Sequence, residues 1–255
     1  MNPSKRWELA QKGEKSFWDS YLIEQLKKET EERDNFRVKM LFPIWKEYIT
    51  LDDKTKILQI GSGPLDIINY IPIGKKYSLD PLADFYKEKF KFNYGTVKYL
   101  QGVGEKLPFK NNFFDLVILS NVLDHTSNSD EVLSEINRVL NKNGILYFDC
   151  AYYQKSFLVL SKIYGFFYKI FLNKPFNLYH PYMFSLRELR ILSKKYFQIY
   201  EEKIGENLGI RIKNLKELKK RRMKEKLTKK IPAFFGLLGN ITYSFIGRKK
   251  EKGVS

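Results

Sequence analysis

Between Lys56 and Cys150 the chain alternates short strand-like runs with helical ones, and this alternation limits the possible folds more than any other feature. KILQI (56–60) is a short apolar run closed by glycine. LDIINYI (65–71) reads as a helical continuation, and KYSLD (76–80) as a second strand. PLADFYKEKF (81–90) predicts a helix with Pro81 in its first position, where the missing N–H costs little. TVKYLQG (96–102) predicts a third strand. FFDLVILSN (113–121) predicts a fourth, apolar enough to be buried on both faces. SDEVLSEINRVLNKNG (129–144) predicts a helix with Ser129 as N-cap and Gly144 near the C-cap, and GILYFDC (144–150) a fifth strand. This order implies right-handed crossovers and an α/β fold: a mostly parallel sheet with helices on both faces.

The flanks are different. Trp7 to about Tyr48 has strong helix formers and apolar residues Phe17, Tyr21, Leu22 and Leu26 at helical spacing. After the fifth strand, residues 151–184 are aromatic and apolar with scattered lysines. SLRELRILSKKYF (185–197) predicts a helix, FQIYEEKI (197–204) a sixth strand and ITYSFIGRKK (241–250) a last strand. Residues 1–50 thus read as an N-terminal helical cap. Residues 51–255 read as one domain with insertions at about 151–184 and 205–239. Ser156 to Leu172 is the most apolar stretch. Lys162 and Lys169 interrupt it, so it falls short of the roughly 20 predominantly apolar residues of a spanning helix.

The turn after the first strand carries the chemistry. In Ile60-Gly61-Ser62-Gly63-Pro64 a strand ends and glycines let the backbone approach a ligand closely. In a doubly wound sheet this is the switch point where ligands bind. Asp80, at the end of the next strand, suits a carboxylate that accepts hydrogen bonds from both hydroxyls of a ribose. Capping of the helix at Pro81 is its plainer role. The turn lacks a full G-x-G-x-x-G and no G-x-x-x-x-G-K-[ST] occurs, which weighs against a dinucleotide or nucleoside triphosphate site.

Four blocks in order resemble the class I S-adenosylmethionine-dependent methyltransferases. They are ILQIGSGP, YSLDPL, GVGEKLPFKNNFFDLVILSNVLDHT and EINRVLNKNGILYF, which together cover about residues 55–150. ITYSFIGRKK is similar to that family's closing strand. The resemblance implies a doubly wound, Rossmann-like sheet of seven strands whose last strand inserts antiparallel between strands five and six. It implies S-adenosyl-L-methionine as cofactor. Gly61, Ser62 and Gly63 would pass under its methionine part, Asp80 with Pro81 would hold the ribose, Gly104 and Glu105 would lie beside the adenine, and Asn121 would face the cofactor. Three positions depart from the family: Gln59 stands where an acid is frequent, Leu65 where a third glycine is common, and Val103 where many members carry Asp. RWELAQKGEKSFWDSYL also looks like the opening of methyltransferases of glycan or lipid-linked sugar biosynthesis, which implies a helix folded over the cleft. An ordinary packing helix is the alternative.

Methyl transfer from a sulfonium is an in-line displacement, so the protein chiefly aligns the nucleophile and excludes water. A base is needed when the acceptor must lose a proton, as in O-methylation of a sugar. The only histidines, His125 and His180, are the catalytic candidates. His125 follows strand four at the rim of the expected cleft, where a structural role in the loop is also open. His180, with Tyr179 and Tyr182, precedes the helix at 185 on the acceptor side, and Ser185 with Glu188 forms a capping box. No Cys/His spacing suggests zinc.

The formal net charge of +17 calls for an anionic partner or reflects a lysine-rich composition. Residues 211–230 carry eleven basic side chains against Glu217 and Glu225, followed by the apolar IPAFFGLLG. Lys155, Lys162 and Lys169 recur every seven residues along an apolar segment. Both patterns suit an anionic membrane surface. A buried lid, a solvated charged helix, an RNA methyltransferase using 211–230 for phosphates, or a non-catalytic membrane-surface or partner-binding module that retains the fold are the alternatives. One cysteine, Cys150, and an N-terminus without an apolar signal core make a cytosolic location the default expectation. The acceptor expected is a small or lipid-linked molecule.

Overall fold

The computed structural model describes residues 3–91, 95–172, 182–205 and 241–250. Two helices open the chain, α1 (Pro3–Asp19) and α2 (Ile23–Tyr48). Then come β1 (Lys56–Ile60), β2 (Lys75–Asp80), α3 (Ala83–Phe90), β3 (Lys98–Gln101), β4 (Phe114–Ser120), α4 (Ser129–Val139) and β5 (Leu140–Tyr152). The chain continues with α5 (Lys155–Leu172), α6 (Leu186–Tyr196), β6 (Phe197–Ile204) and β7 (Ile241–Lys249). The strands form one seven-stranded sheet in the order β3-β2-β1-β4-β5-β7-β6. β1 to β5 pair in parallel, and β7 lies antiparallel between β5 and β6, as the resemblance implies.

Side-chain alternation along the central strands sorts the core into two layers. Leu58, Ile60, Val117 and Leu119 face one way and pack with Val132, Leu133 and Ile136 of α4 and Leu189 of α6. Ile57, Leu116 and Ile118 face the other way, toward Trp45 and Val38 of α2 and Ile67 and Ile68. Both faces of β4 are therefore covered, which is why its sequence is an unbroken apolar run.

Several local expectations are corrected. The segment after the glycine turn is not an α-helix but a single 3₁₀ turn, Ile67–Asn69, because Asp66 caps it and Asn69 answers in a capping box. Pro81 precedes α3 rather than starting it, and Leu82 is the N-cap. α4 is capped by Asn128, whose side chain accepts from the N–H groups of Asp130 and Glu131, not by Ser129. α4 ends at Val139. Gly144 lies inside β5, where a Cβ would stand 2.8 Å from the Phe114 carbonyl oxygen. The expected N-terminal helix is two helices, parted where the N–H groups of Ser20 and Tyr21 turn back to Phe17 and Trp18. Within the described residues no helix is long and apolar enough to cross a membrane.

Candidate active site

β1 delivers the chain into a turn that only glycine accommodates at its first position. Gly61 has φ +66°, and its N–H donates to the Leu79 carbonyl at 2.7 Å. A Cβ there would stand 2.5 Å from Val122. Gly63, at φ +58°, donates its N–H to Asp80 Oδ2 at 2.9 Å. Asp80 Oδ1 accepts from the Leu82 N–H at 2.8 Å, so this carboxylate both ties down the glycine turn and caps the entry to α3. Burial pushes its pKa up to about 6, against the pull of the Leu82 and Gly63 N–H groups. Ser62 is buried, and its hydroxyl pairs with that of Ser78.

The turn borders a cleft of about 760 Å³ at the carboxyl ends of the parallel strands. Gly61, Ser62, Gly63, Asp80, Pro81, Gly104, Glu105, Asn121 and His125 all line it. The three departing positions are accommodated differently. Leu65 and Val103 stand in the lining. Gln59 is fully buried: its amide donates to Asp66 Oδ2 at 2.6 Å and its carbonyl accepts from the Ile68 N–H at 2.9 Å. Glu105 spends one oxygen on the loop before α4, accepting from the Ser127 N–H and hydroxyl and from the Asn128 N–H. Asn121 adopts φ +54° and donates its N–H to the Asp149 carbonyl. His125 closes a 3₁₀ turn, with Nε2 3.9 Å from Oδ1 of the fully buried Asp124.

His180 and Tyr179 lie outside the described residues, as do the basic run 211–230 and IPAFFGLLG. Tyr182, expected on the acceptor side, is committed elsewhere. Its hydroxyl donates to the Ser127 carbonyl at 2.6 Å, its ring stacks on Phe184, and it is outside the cleft lining. Ser185 and Glu188 form the expected capping box. Cys150 is buried, which raises its thiol well above the usual range and leaves it inert as a nucleophile.

A polar cluster on the cleft wall has no signature in the linear sequence. Arg37 of α2 donates to Asp34 at 3.1 Å and Asp66 at 2.8 Å through one nitrogen, and to the Ser120 hydroxyl at 2.6 Å through the other. Ser120 in turn donates to Asp149 at 2.7 Å. Arg33 makes a two-pronged contact with Asp34. Burial raises Asp66 to about 6 while Arg37 draws it back down, and burial also raises Asp149. Arg33, Arg37, Asp66, Ser120 and Asp149 all reach the cleft. They come from α2, the cap of the 3₁₀ turn after β1, and the strands β4 and β5, so no local pattern could announce them. Across the opening lies α1, from which Trp7, Gln11, Glu14, Phe17 and Trp18 line the cleft. Trp18 stands closest to the glycine turn, and its indole N–H donates to Glu14 at 2.9 Å.

Residues 58–148 match the family model described as "Methyltransferase domain". A ubiquinone/menaquinone biosynthesis C-methyltransferase, UbiE, of Wigglesworthia glossinidia brevipalpis is 30% identical over 167 residues, 58% of this chain and 66% of the relative. The human arsenite methyltransferase is 32% identical over 85 residues, 32% of this chain and 21% of the relative. The chain thus spans less than two thirds of the length of these relatives. Among solved structures, the YcgJ protein of Bacillus subtilis superposes with a TM-score of 0.54 at 16% identity, covering 83% of this chain and 98% of that one. A Haemonchus contortus phosphoethanolamine N-methyltransferase 2 in complex with S-adenosyl-L-methionine gives 0.54 at 18% identity, covering 84% and 53%. With the sheet order, the glycine turn and these matches together, residues 58–148 carry a methyltransferase domain, and the chain resembles the class I S-adenosylmethionine-dependent methyltransferases.

Proposed function

We propose that this chain binds S-adenosyl-L-methionine in the cleft and transfers its methyl group to a small or lipid-linked acceptor, such as a sugar or glycan precursor hydroxyl. The observation that carries the reading is the buried Asp80 carboxylate beside a glycine turn in which a Cβ would collide with Val122. Such a cradle suits a nucleoside cofactor. Gly61, Ser62 and Gly63 would hold its amino-acid part, Asp80 and Pro81 its ribose, Gly104 and Glu105 its adenine, with Asn121 facing it. When bound, the cofactor supplies a methyl group activated on a sulfonium.

The chain's own residues then position and dry the site. Trp7, Phe17 and Trp18 of α1 exclude water from the cleft side of the turn. His125, which lines the cleft, takes the proton of an acceptor hydroxyl in this reading, supported by the buried Asp124 3.9 Å from its Nε2. His180 is retained as a second acceptor-side candidate. We read residues 1–50 as a cap and 51–255 as the catalytic domain, with insertions at about 151–184 and 205–239. The protein works in the cytoplasm, at the inner face of the membrane.

Titration calorimetry of the full chain is expected to give micromolar cofactor binding, weakened at least tenfold by Asp80→Asn. Transfer of labelled methyl groups to an extract of lipid-linked sugars is expected to fall about 100-fold in His125→Gln with cofactor affinity kept, within the usual range for a lost general base. No binding at high micromolar cofactor would overturn the assignment. Unchanged transfer in the His125 variant would overturn the base.

A further inference from the structure

We infer that the outward face of α5 is a docking surface for an anionic lipid bilayer. This deepens the membrane part of the reading above and is independent of how the cleft holds its cofactor.

α5 is amphipathic in an unusual sense. Phe157 and Ser161 are buried, and Phe157 stacks on Tyr153 with ring centroids 5.1 Å apart. On the opposite side Val159, Ile163 and Ile170 are 53% to 59% exposed. At about 100° per residue these three positions fall within roughly 40° of one another, so they form a single apolar stripe along three turns. Lys155 and Lys162, both exposed, border that stripe on one side. A continuous apolar strip on the surface marks an interaction site more often than scattered apolar residues do. A helix with its apolar strip bordered by lysines is built to lie in a headgroup layer, where the ammonium groups meet lipid phosphates while the aliphatic stems stay with the strip.

Two further observations choose a bilayer over a protein partner. First, the charge is right for anionic lipid: the chain carries +17. Second, the position is right for delivering a lipid-borne substrate. α5 leaves directly from the carboxyl end of β5, where Asp149 lines the cleft, and β7 starts by pairing Ile241 with Tyr152 just before α5. Thr242, the next residue, also lines the cleft. The stripe and the cleft therefore share one end of the sheet. Since no described helix is long and apolar enough to span the bilayer, the contact is peripheral.

The test is flotation of the full-length chain with vesicles of phosphatidylcholine alone or mixed with phosphatidylglycerol. Binding is expected only with the anionic vesicles. The double variant Val159→Asp/Ile163→Asp should lose it at least tenfold, and Lys155→Glu/Lys162→Glu should weaken it by about fivefold or more for each lysine. Cofactor binding and circular dichroism should be unchanged in both, since these side chains face outward. Cofactor affinity thereby separates failure of this proposal from failure of the enzymatic one. Vesicle binding that survives both variants would overturn the assignment of this face. So would light scattering that finds a dimer in the parent chain and a monomer in the aspartate variant, because the stripe would then be a contact between copies.

Discussion

At the scale of single residues, Asp80 is the position whose chemistry is most exposed to test. In the free protein its carboxyl is raised to about 6 by burial. Folded chains therefore hold more protons than unfolded ones between about pH 4 and pH 6. This group's contribution to stability is full below that window and is lost as pH rises through it. Ribose hydroxyls donate to the ionised form, so cofactor binding draws the carboxyl back down. Affinity is expected to rise between pH 5 and pH 7, with release of up to one proton near pH 6. Calorimetry in buffers of different ionisation heat reads that proton directly. Flat affinity across the range would remove Asp80 from the ribose role. The residue was visible in the sequence because it ends a strand at a fixed distance from the glycine turn. Its second bond, to the Gly63 N–H, was not, because that contact exists only once β1 and β2 lie side by side.

At the scale of elements, α2 does more than cover the sheet. It carries Arg37 and Arg33 into a cluster with Asp34, Asp66 and Asp149, and Asp34 is fully buried. Replacing Arg37 leaves these carboxylates short of a partner. Arg37→Met is therefore expected to lower the unfolding free energy by about 3 kcal/mol at pH 7.5, as breaking a buried pair does. The loss should be smaller at pH 5, where Asp66, already raised to about 6, takes up a proton instead. Urea unfolding at both pH values measures the difference, and an equal loss at each would show that Asp66 is not the group left stranded. The elements themselves were mostly legible from apolar spacing. The α4–β5 junction was not. Asn141 to Gly144 looks like a helix end, yet Gly144 is held in β5 by the close approach of Phe114 across the strand pair, a contact local sequence does not encode.

At the scale of the whole molecule, the sheet is closed by β7 from the far end of the chain. β6 and β7 are antiparallel neighbours, and the Gly205 N–H donates to the Thr242 carbonyl at 2.7 Å. The two strand ends are thus already as near as a hairpin requires. Replacing residues 206–240 with a short glycine-containing turn is expected to keep the fold and the cofactor affinity, because a shorter connection costs less closure entropy while the β6–β7 ladder stays intact. Thermal unfolding and calorimetry check this. Loss of the cooperative transition would show that the excised residues hold the sheet together.

Composition and spacing alone determined the α/β class, the position of the ligand turn and the carboxylate that follows it, because each depends on contacts a few residues apart or on a period repeated along the chain. Tertiary structure alone decided which distant side chains join in the cleft wall. Arg37, Ser120 and Asp149 meet through partners dozens of residues distant, and the apolar stripe of α5 became visible only when its other face was buried. A linear pattern shows that a helix is apolar. Only packing shows which side of it is left for something else to cover.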